Sequence, residues 1–500
     1  MDHTQMTWRP DSSSRAPLFR QLTDHLRERI VTGTLPPGTR LPPQRLLAQH
    51  LGVNRSTVVA AYSELQAAGL IAGHAGGGTV VVPREPSAMS GIGFDWHDMI
   101  DRGTFVHDRS LAAEVAHARA LPGIVSLAQG ELAPELRPTA ILRDLFHEVQ
   151  VTDEMLAYED MHGYQPLREA IAAMLTERGA PTGPEGVLVL AGAQQGLYLI
   201  CRGLLQPGDT VIVEAPSYLL TLGVLQMAGI RILRAPIDQH GLVPDRLEEL
   251  LARHRAAMIF TTPTYQNPTG AVLAAGRRVA LLELCARYGV PLVEDDVYGD
   301  LGFAGVPPTP LYALDQSGHV IYVSSISKSV APGLRAGWMV APAHVIKRLA
   351  EMKYQMQFGV STVPQWVAQQ WLARGYHRAH LAATALALRQ RRDLLEAELR
   401  RQFGSMLTWQ QTEGGFHLWT QVHAPVTSTA LFRAALSAGI AIKPGSLYGV
   451  PPRQAWVRLS FQHAPLDALR TVPRRLRQVV DDLAQSGQVA EGDAVAAAAM

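Results

Sequence analysis

Apolar side chains recur at helical spacing near the start of the chain. Phe19, Leu22, Leu26 and Ile30 follow one another at intervals of three or four residues, which places them on one face of a helix. Gly33 comes soon after them, and glycine commonly ends a helix. The pattern therefore predicts an amphipathic helix that buries this face and ends near Gly33.

Two more helices and a hairpin are predicted next. The turn TLPPGTRLPPQR opens a short helix that ends at residues 51–52. Asn54 can cap a third helix that ends at Gly69, and its inward positions are Val58, Tyr62 and Leu65. Residues 70–71, a glycine-rich tip and the β-branched run 79–82 then predict a two-stranded hairpin. Three short helices followed by a hairpin are typical of a winged helix-turn-helix domain.

The excess of positive charge in this region favours binding to nucleic acid. Residues 1–82 contain eight arginines and five acidic residues, whereas the whole chain has a net charge of only +1. Arg55, Ser56 and Thr57 fall in the first turn of the third helix, where recognition helices present side chains to DNA. The alternative interpretation is a small protein-docking domain with a solvated arginine face.

The regular pattern breaks down between residues 83 and 120. Prolines and glycines accumulate there, while scattered apolar residues predict partial docking against a larger body: Trp96, Met99, Ile100 and Phe105. We therefore predict a DNA-binding domain at 15–82, a linker at 83–120 and a large domain at 121–482. Its small subdomain begins at about residue 370, and residues 483–500 form a disordered tail.

From about residue 121, strand-like runs alternate with helical stretches, which predicts a mainly parallel α/β sheet. Ligands of such sheets bind outside the carboxyl ends of the strands. The runs 187–190, 211–214, 258–261, 290–293 and 320–323 each end in a candidate functional segment. In that order, they deliver the small-residue turn AGAQQG, then Tyr218, then Asn267, then Asp295 with Tyr298, then Lys328.

Each of these signals is weak alone. Small residues often precede helices, an NPTG turn is commonly structural, and Asp295 or Asp296 could cap a helix. Together, however, they match the requirements of pyridoxal 5′-phosphate. That cofactor needs a lysine for its aldehyde, an acid for its pyridine nitrogen, donors for its phenolic oxygen, a stacking ring and a phosphate cup.

Composition singles out Lys328. The chain has four lysines and 41 arginines. Since the chain uses arginine where only a positive charge is needed, Lys328 is a candidate for a role that requires an amine.

The length of 500 residues, with 47% hydrophobic and 18% charged residues, predicts two or three globular domains. Two cysteines provide neither a disulfide framework nor a metal-ligand cluster, and no run of ~20 apolar residues occurs. We therefore expect a cytoplasmic protein without a metal site.

The N-terminal region resembles the DNA-binding domain of GntR-type bacterial repressors. The similarity lies in LPPQR, LGVNRSTV, GLI and the glycines before GTVV. It implies DNA contacts at the following positions: Arg45, Asn54, Arg55, Ser56, Thr57 and the wing-tip Gly76. His74 stands where this family usually has arginine, which implies a weaker or pH-sensitive contact of the wing with the minor groove.

Residues 121–480 resemble fold-type I aminotransferases. By this resemblance, Lys328 forms the Schiff base with the cofactor, and Asp295 pairs with the pyridine nitrogen. Tyr298 and Asn267 would bind the phenolic oxygen, and Tyr218 would stack on the ring. The phosphate would be bound by Ala193, Gln194, Ser325, Ser327 and Arg335. Arg458 in WVRLSF resembles the arginine that binds a substrate carboxylate, and Tyr158 resembles a tyrosine lent to the partner subunit's phosphate. Ser324-Ser325-Ile326 departs from the usual Gly-Thr/Ser-Phe only in volume.

The two halves together resemble the MocR subfamily of regulators. This implies a homodimer, domain-swapped in its family, that binds operator DNA and senses an amino compound or the cofactor through an internal or external aldimine at Lys328. Two alternatives remain open at this point. One is an active aminotransferase with an appended helix-turn-helix domain, and the other is a cofactor-storage or structural dimer.

Overall fold

The computed structural model describes residues 8–10, 17–74, 78–82, 111–118, 121–221, 223–303, 307–451 and 453–486. The chain divides into two units, Met1–Thr104 and Phe105–Met500. Gly76, the side chain of His74, most of the predicted linker and the predicted tail from residue 487 onward lie outside the described residues. Residues 483–486 were assigned to the tail, but they continue the last helix, which ends at Ser486.

The described part of the first unit contains the three expected helices. They are α1 (Leu18–Val31), α2 (Gln44–Leu51) and α3 (Arg55–Ala67). The predicted inward positions of α3 are buried, and with Leu22 and Leu26 they form the core of this unit. Asn54 caps α3 because its side-chain oxygen accepts a hydrogen bond from the Ser56 amide at 3.1 Å.

A small antiparallel sheet completes this unit. Its strands are β1 (Arg40–Leu41), β2 (Ile71–His74) and β3 (Gly78–Val81), with β3 in the middle. The sequence pattern predicted only the β2–β3 hairpin. It missed β1 because a strand of two residues is too short to show an alternating pattern. The winged helix-turn-helix architecture is nevertheless as expected.

The second unit alternates strands and helices over most of its length. Its described strands are β4 (Val125–Ser126), β5 (Val187–Leu190), β6 (Thr210–Ala215), β7 (Arg231–Asp238), β8 (Gly241–Leu242), β9 (Met258–Thr261), β10 (Leu292–Asp295), β11 (Val320–Ser325), β12 (Gly337–Val340), β13 (Leu407–Trp409), β14 (His417–Val422), β15 (Ile440–Ala441), β16 (Lys443–Pro444) and β17 (Trp456–Ser460). Its described helices are α4 (Leu111–Ala118), α5 (Thr139–His147), α6 (Asp153–Leu156), α7 (Gln165–Glu177), α8 (Ala193–Gly203), α9 (Val224–Met227), α10 (Pro244–Arg253), α11 (Ala275–Tyr288), α12 (Leu311–Leu314), α13 (Ala343–Gln357), α14 (Thr362–Ala373), α15 (Tyr376–Phe403), α16 (Ser428–Ser437) and α17 (Leu466–Ser486).

Eight of these strands form one large sheet in the order β5-β12-β11-β10-β9-β6-β7-β8. The pairs from β11 through β10, β9 and β6 to β7 are parallel, whereas β12 runs antiparallel to both of its neighbours. The predicted mainly parallel sheet is therefore present. Strand β12 was not predicted, although it brings β5 beside the end of β11.

Both faces of the large sheet are covered by helices. Along β5, Leu188 and Leu190 pack with α8 and α13, while Val187 and Val189 pack with α7 and α14 on the other face. Successive residues of a strand point to opposite faces, so a strand that is covered twice must be apolar throughout. This explains why the central strands appear in the sequence as short, unbroken apolar runs.

A second, antiparallel sheet of order β13-β14-β17-β16 forms the small subdomain with α15, α16 and α17. The start of the unit joins it, because β4 pairs in parallel with β15. The segment after β4 is also held there: the Leu127 carbonyl accepts from the Ser460 amide at 2.8 Å, and the Ala133 amide donates to Gln462 at 3.1 Å. Residues 125–133 are thereby fixed beside β17.

Part of the predicted linker is helical. It contains α4, whose residues Val115 and Ala118 pack into the core of the small subdomain.

Among the helices that the structure describes, none has both the length and the apolar character needed to cross a lipid bilayer.

We expect Tyr62→Phe to loosen the DNA-binding unit. The Tyr62 hydroxyl donates to the Pro42 carbonyl at 2.9 Å in a buried position, tying α3 to the start of α2. Loss of a buried hydrogen bond costs about 1–2 kcal/mol. Amide hydrogen exchange in α2 and α3, followed by mass spectrometry, should accelerate roughly 5–30-fold. Tyr288→Phe on α11 is the control; unchanged exchange in Tyr62→Phe would contradict the assigned role.

Candidate functional site

Lys328 lies in the turn that follows β11. Its Nζ donates a hydrogen bond to the Gly130 carbonyl at 2.7 Å, so the segment after β4 meets the end of the large sheet here. The hydrogen bond to the Gly130 carbonyl holds the lysine amine at this site. Lys328 is thus placed at the edge where the sequence predicted a ligand.

Asp295 is the last residue of β10, beside β11, where it pairs with Val323. Its carboxylate is buried, and Oδ1 accepts from the Val297 amide at 3.4 Å. Burial raises the pKa of Asp295 to about 7, and the adjacent Asp296 carboxylate adds to this, while the Val297 amide and Lys328 oppose it. Such an acid can share a proton with a basic nitrogen near neutral pH.

Asp296, the next residue, has different surroundings. Its Oδ2 accepts from the Tyr322 hydroxyl at 2.9 Å and lies 3.0 Å from a terminal nitrogen of Arg178. Arg178 also lies 3.5 Å from Asp300, so this network is internally paired. The two adjacent carboxylates are therefore distinguished by their partners. Asp296 belongs to a buried ion-pair network, and Asp295 is left for the site.

Asn267 joins three elements of the site. Its Oδ1 accepts from Arg458 at 2.9 Å, and its Nδ2 lies 3.5 Å from the Tyr298 hydroxyl. Its backbone carbonyl accepts from the Tyr218 amide at 2.8 Å. The Tyr298 hydroxyl is also 3.3 Å from Nε2 of His417, a residue that the sequence analysis did not single out.

Arg458 lies on β17 and is almost completely buried. Besides its bond to Asn267, it donates to the Ala128 carbonyl at 3.0 Å. Within the described residues, its Nε has no hydrogen-bond partner. A buried guanidinium with an unsatisfied donor favours an anionic ligand.

The ends of β11, β12 and β5 build a cup. Ser325 pairs with Gly337 and Gly337 with Leu190, so these three residues form one row across the sheet. A Cβ on Gly337 would lie only 2.8 Å from the Gly192 Cα, so glycine is required for this close approach. Arg335 donates to the Ala191 carbonyl at 2.5 Å and therefore reaches the beginning of α8.

Ala193 and Gln194 are the first residues of α8, where free amides and the helix dipole attract an anion. The Ser327 amide donates to Ser325 Oγ at 3.3 Å. Ser327 Oγ is buried and has no hydrogen-bond partner among the described residues. An unsatisfied hydroxyl, an arginine and a helix N-terminus make a donor set that suits a phosphate group.

A cavity of about 160 Å³ opens beside Lys328; Asp295 and the cup residues Ala193, Gln194, Ser325, Ser327 and Arg335 are not part of its lining. Its lining contains five residues that the sequence analysis proposed and four that it did not. The proposed residues are Tyr218, Asn267, Tyr298, Lys328 and Arg458; the others are Gly130, Glu131, Pro332 and Lys443. Lys443 could have been noticed, because it is one of only four lysines.

The remaining predicted residues lie elsewhere. Tyr158 is 79% exposed, does not line this cavity, and stacks at a tilt on Phe358 with ring centroids 5.5 Å apart. In the first unit, the side chains of Arg45, Asn54, Arg55 and Ser56 are exposed and Thr57 is half-buried.

Comparisons with known proteins assign both units. The family described as aminotransferase class I and II matches residues 122–472, and the family of bacterial regulatory proteins, gntR family, matches residues 18–81. The chain is 35% identical to the uncharacterized HTH-type transcriptional regulator YdfD of Bacillus subtilis, over 94% of this chain and 98% of that protein. The chain belongs to the MocR-type transcriptional regulators.

Solved structures agree for the aminotransferase domain of this regulator. Kynurenine aminotransferase of Pyrococcus horikoshii is 30% identical, with a TM-score of 0.71 over 78% of this chain and 97% of its own. LysN of Thermus thermophilus, solved with N-(5′-phosphopyridoxyl)-L-leucine, is 27% identical, with a TM-score of 0.70 over 78% of this chain and 99% of its own. The predicted fold is thereby confirmed as a GntR-type domain joined to a fold-type I aminotransferase domain.

The regulator uses pyridoxal 5′-phosphate as its cofactor, as aminotransferases of this class do, and its GntR-type domain binds DNA. The residues at the large sheet fit that cofactor. The unsatisfied Ser327 hydroxyl matches a phosphate oxygen, and the buried Asp295 acid matches a pyridine nitrogen. The Lys328 amine lines the adjacent cavity, together with Tyr218, Asn267 and Tyr298.

We expect Asp295→Asn to change how the stability of the cofactor-free protein depends on pH. The pKa of Asp295 is raised to about 7 in the folded state, above its ordinary value of 3.8, so between these values the folded state binds more protons than the unfolded state. Stability contributed by this carboxyl is therefore greatest at acid pH and falls as the pH rises towards 7.

Urea unfolding at about pH 5 and about pH 7 measures the effect. As the pH rises, the free energy of unfolding should decline less in Asp295→Asn than in the wild type. Exposed Asp245→Asn is the control and should follow the wild type. Identical pH dependence in wild type and Asp295→Asn would show that Asp295 does not titrate in this range.

Proposed function

We propose that this regulator senses an amino compound, or pyridoxal phosphate itself, at Lys328, and that the bound state alters its affinity for operator DNA. The observation that carries the proposal is the cavity that brings Lys328, Tyr298, Asn267 and Arg458 together in a chain that also has a GntR-type domain. An amine-binding site and a DNA-binding unit in one chain are the parts that a ligand-responsive switch requires.

When bound, pyridoxal phosphate supplies an aldehyde carbon that amines attack and a ring that withdraws electrons. Lys328 Nζ would be the amine that holds this carbon. Asp295 would hold the proton of the pyridine nitrogen, Tyr298 and Asn267 would donate to the phenolic oxygen, and Tyr218 would pack against the ring.

The phosphate is held by the cup at the end of β11 and the start of α8. Its donors are Ala193, Gln194, Ser325, Ser327 and Arg335. Arg458 binds the carboxylate of the incoming amine, for which its buried, unsatisfied Nε provides support. The proposal is supported by the position of Lys328, Asp295 and the start of α8 at one edge of the large sheet, with Arg458 contributed by β17 of the small sheet.

On the DNA side, α3 enters the major groove. Arg45, Asn54, Arg55, Ser56, Thr57 and Gly76 contact the operator. The exposure of Arg45, Arg55 and Ser56 supports this assignment, since a DNA-reading side chain must be free to reach a groove. In this organisation residues 15–82 bind DNA, 83–120 connect, and 121–482 hold the cofactor.

The regulator acts as a homodimer, domain-swapped as the family resemblance implies, in which Tyr158 reaches the partner's phosphate. An exposed apolar group supports a protein contact here. Its members, on α6 and around the end of α13, are Leu156, Tyr158, Met356 and Phe358. Side chains of this size are seldom left together in water unless another surface covers them.

A second candidate function is catalysis of transamination. It is favoured by the similarity to solved aminotransferases, a kynurenine aminotransferase and an alpha-aminoadipate aminotransferase. Under this alternative, keto acid is released at ordinary enzymatic rates and DNA affinity does not depend on the amine.

Lys328→Ala tests the sensing role. In fluorescence anisotropy with the DNA upstream of the protein's own gene, adding a panel of amines to the cofactor-loaded wild type should shift the binding midpoint roughly fivefold or more. Lys328→Ala should show no shift, because the amine has no lysine-linked cofactor to attack. Borohydride reduction and mass spectrometry should find cofactor on the wild type and on the exposed-lysine control Lys347→Ala only.

The same experiment separates the alternatives. Covalent cofactor on Lys328→Ala would remove Lys328 from its role. If no amine changes the DNA affinity of the wild type, and the wild type turns over keto acid at enzymatic rates, the aminotransferase hypothesis replaces the regulator hypothesis.

Arg55→Ala should weaken operator binding roughly tenfold or more while leaving cofactor binding intact. Arg55→Lys separates two modes of contact: a phosphate contact tolerates lysine, whereas bidentate reading of a base does not. Anisotropy titrations at several salt concentrations measure both, since loss of a phosphate contact also reduces the salt slope by about one. Unchanged affinity in Arg55→Ala would place Arg55 outside the interface.

A further inference from the structure

His417 connects the small sheet to the cofactor side of the cavity. It is the first residue of β14, pairs with Ser460 of β17, and is only 2% exposed. Its Nε2 lies 3.3 Å from the Tyr298 hydroxyl, and its Nδ1 lies 3.0 Å from Ser460 Oγ. Both ring nitrogens are therefore in polar contacts, yet the proposed function gives this histidine no role.

The charges around His417 keep its ring neutral. Arg458 is on β17, Lys443 pairs with it from β16, and Lys328 follows β11. Burial lowers the pKa of His417 well below its usual range, and the charges of these three residues lower it further, whereas the Phe416 backbone opposes them. A neutral imidazole has one nitrogen that donates a hydrogen bond and one that accepts.

Tyr298 is the other titratable group in contact with this ring. Burial raises the pKa of Tyr298, with Arg458 opposing, so the hydroxyl keeps its hydrogen. Asn267 can only donate to this hydroxyl: its Oδ1 accepts from Arg458, which leaves its Nδ2 facing Tyr298 at 3.5 Å. His417 is therefore the neighbour that decides where the hydroxyl hydrogen points.

Two arrangements are compatible with these distances. If His417 Nε2 accepts, the hydrogen of Tyr298 is bound to the imidazole. If Nε2 carries a hydrogen, it donates to the hydroxyl oxygen, and the hydrogen of Tyr298 is left for the cavity that Tyr298 lines. Ser460 allows the second arrangement, because a hydroxyl can donate to Nδ1. Only this arrangement lets Tyr298 donate to a phenolic oxygen.

We propose that His417 is a positioning residue: its Nε2–H donates to the Tyr298 hydroxyl and thereby directs the hydroxyl hydrogen towards the phenolic oxygen of the cofactor. Ser460 keeps the required tautomer by donating to Nδ1. The inference rests on the proposed function, which assigns Tyr298 to that oxygen. Through this contact, the small subdomain acts on the cofactor as well as on the incoming amine.

The pH dependence of the cofactor absorbance tests the inference. The full-length protein is loaded with cofactor and titrated without added amines. His417→Phe removes both nitrogens but keeps a ring for the edge contacts with Tyr298 and Phe416, at centroid distances of 5.6 and 6.0 Å. His417→Gln keeps a donor of similar reach, and Ser460→Ala removes only the partner of Nδ1. The control is His423→Phe, since His423 is exposed and follows β14.

His417→Phe should raise the midpoint of this titration by about 0.5–1 pH unit, as loss of one hydrogen bond would. A donor to the phenolic oxygen stabilises its negative charge, and most strongly once the cofactor-bound lysine nitrogen has lost its proton. Weaker donation therefore makes that proton harder to remove. Ser460→Ala should raise the midpoint by less, whereas His417→Gln and His423→Phe should match the wild type.

A second background, Tyr298→Phe, identifies the route of the effect. If His417 acts through Tyr298, His417→Phe should cause no further shift in this background. An equal shift in both backgrounds would overturn the inference, because His417 would then act on the cofactor without Tyr298.

The remaining outcomes separate the inference from the proposed function. An unchanged midpoint in His417→Phe, beside a raised midpoint in Tyr298→Phe, would overturn the inference and leave the proposed function standing. If His417→Phe does not fold, Ser460→Ala decides in its place, and an unchanged midpoint there has the same meaning. If Tyr298→Phe itself leaves the midpoint unchanged, the inference fails together with the assignment of Tyr298 to the phenolic oxygen.

Discussion

Burial of both faces of the large sheet determines where this protein can place chemistry. With helices against each face, the interior positions of β5, β9, β10 and β11 must be apolar, and polar side chains are confined mainly to the strand ends. The parallel strands end at the same edge, so Asp295, Lys328 and the start of α8 meet there. Strand β12 completes the edge, because Gly337 closely approaches Gly192 and Arg335 donates to the Ala191 carbonyl beside the start of α8.

The small subdomain supplies the other half of the site. Arg458, Lys443 and His417 come from its antiparallel sheet, and Gly130 comes from the segment that β4 anchors beside β17. The cavity is therefore enclosed by three parts of the chain: residues 130–131, lining residues between 218 and 332, and residues 443 and 458.

The sequence was sufficient for those parts of the fold that have a local signature. The helices of the winged domain, the central strands and the residues directly after them follow from apolar periodicity and turn residues. Strands β1 and β12, the pairing of Lys443 with Arg458, and the contact of His417 with Tyr298 could not be predicted. They are too short to show a period, or they join residues that only the three-dimensional register brings together. The family resemblance already assigned Asp295 to the pyridine nitrogen, whereas the contacts of Asp296 with Arg178 and Tyr322 are known only from the structure.

The position of Asn267 between Arg458 and Tyr298 has a consequence for ligand binding. Its amide oxygen accepts from Arg458, which the proposed function assigns to the effector, and its amide nitrogen lies towards Tyr298, which it assigns to the cofactor. A side chain shared by two ligands makes their binding free energies interdependent, and such linkage is reciprocal. Under the proposed function, a cofactor that raises the affinity for the amino compound by some factor has its own affinity raised by the same factor. The supply of pyridoxal phosphate would then set the concentration of amino compound to which the regulator responds.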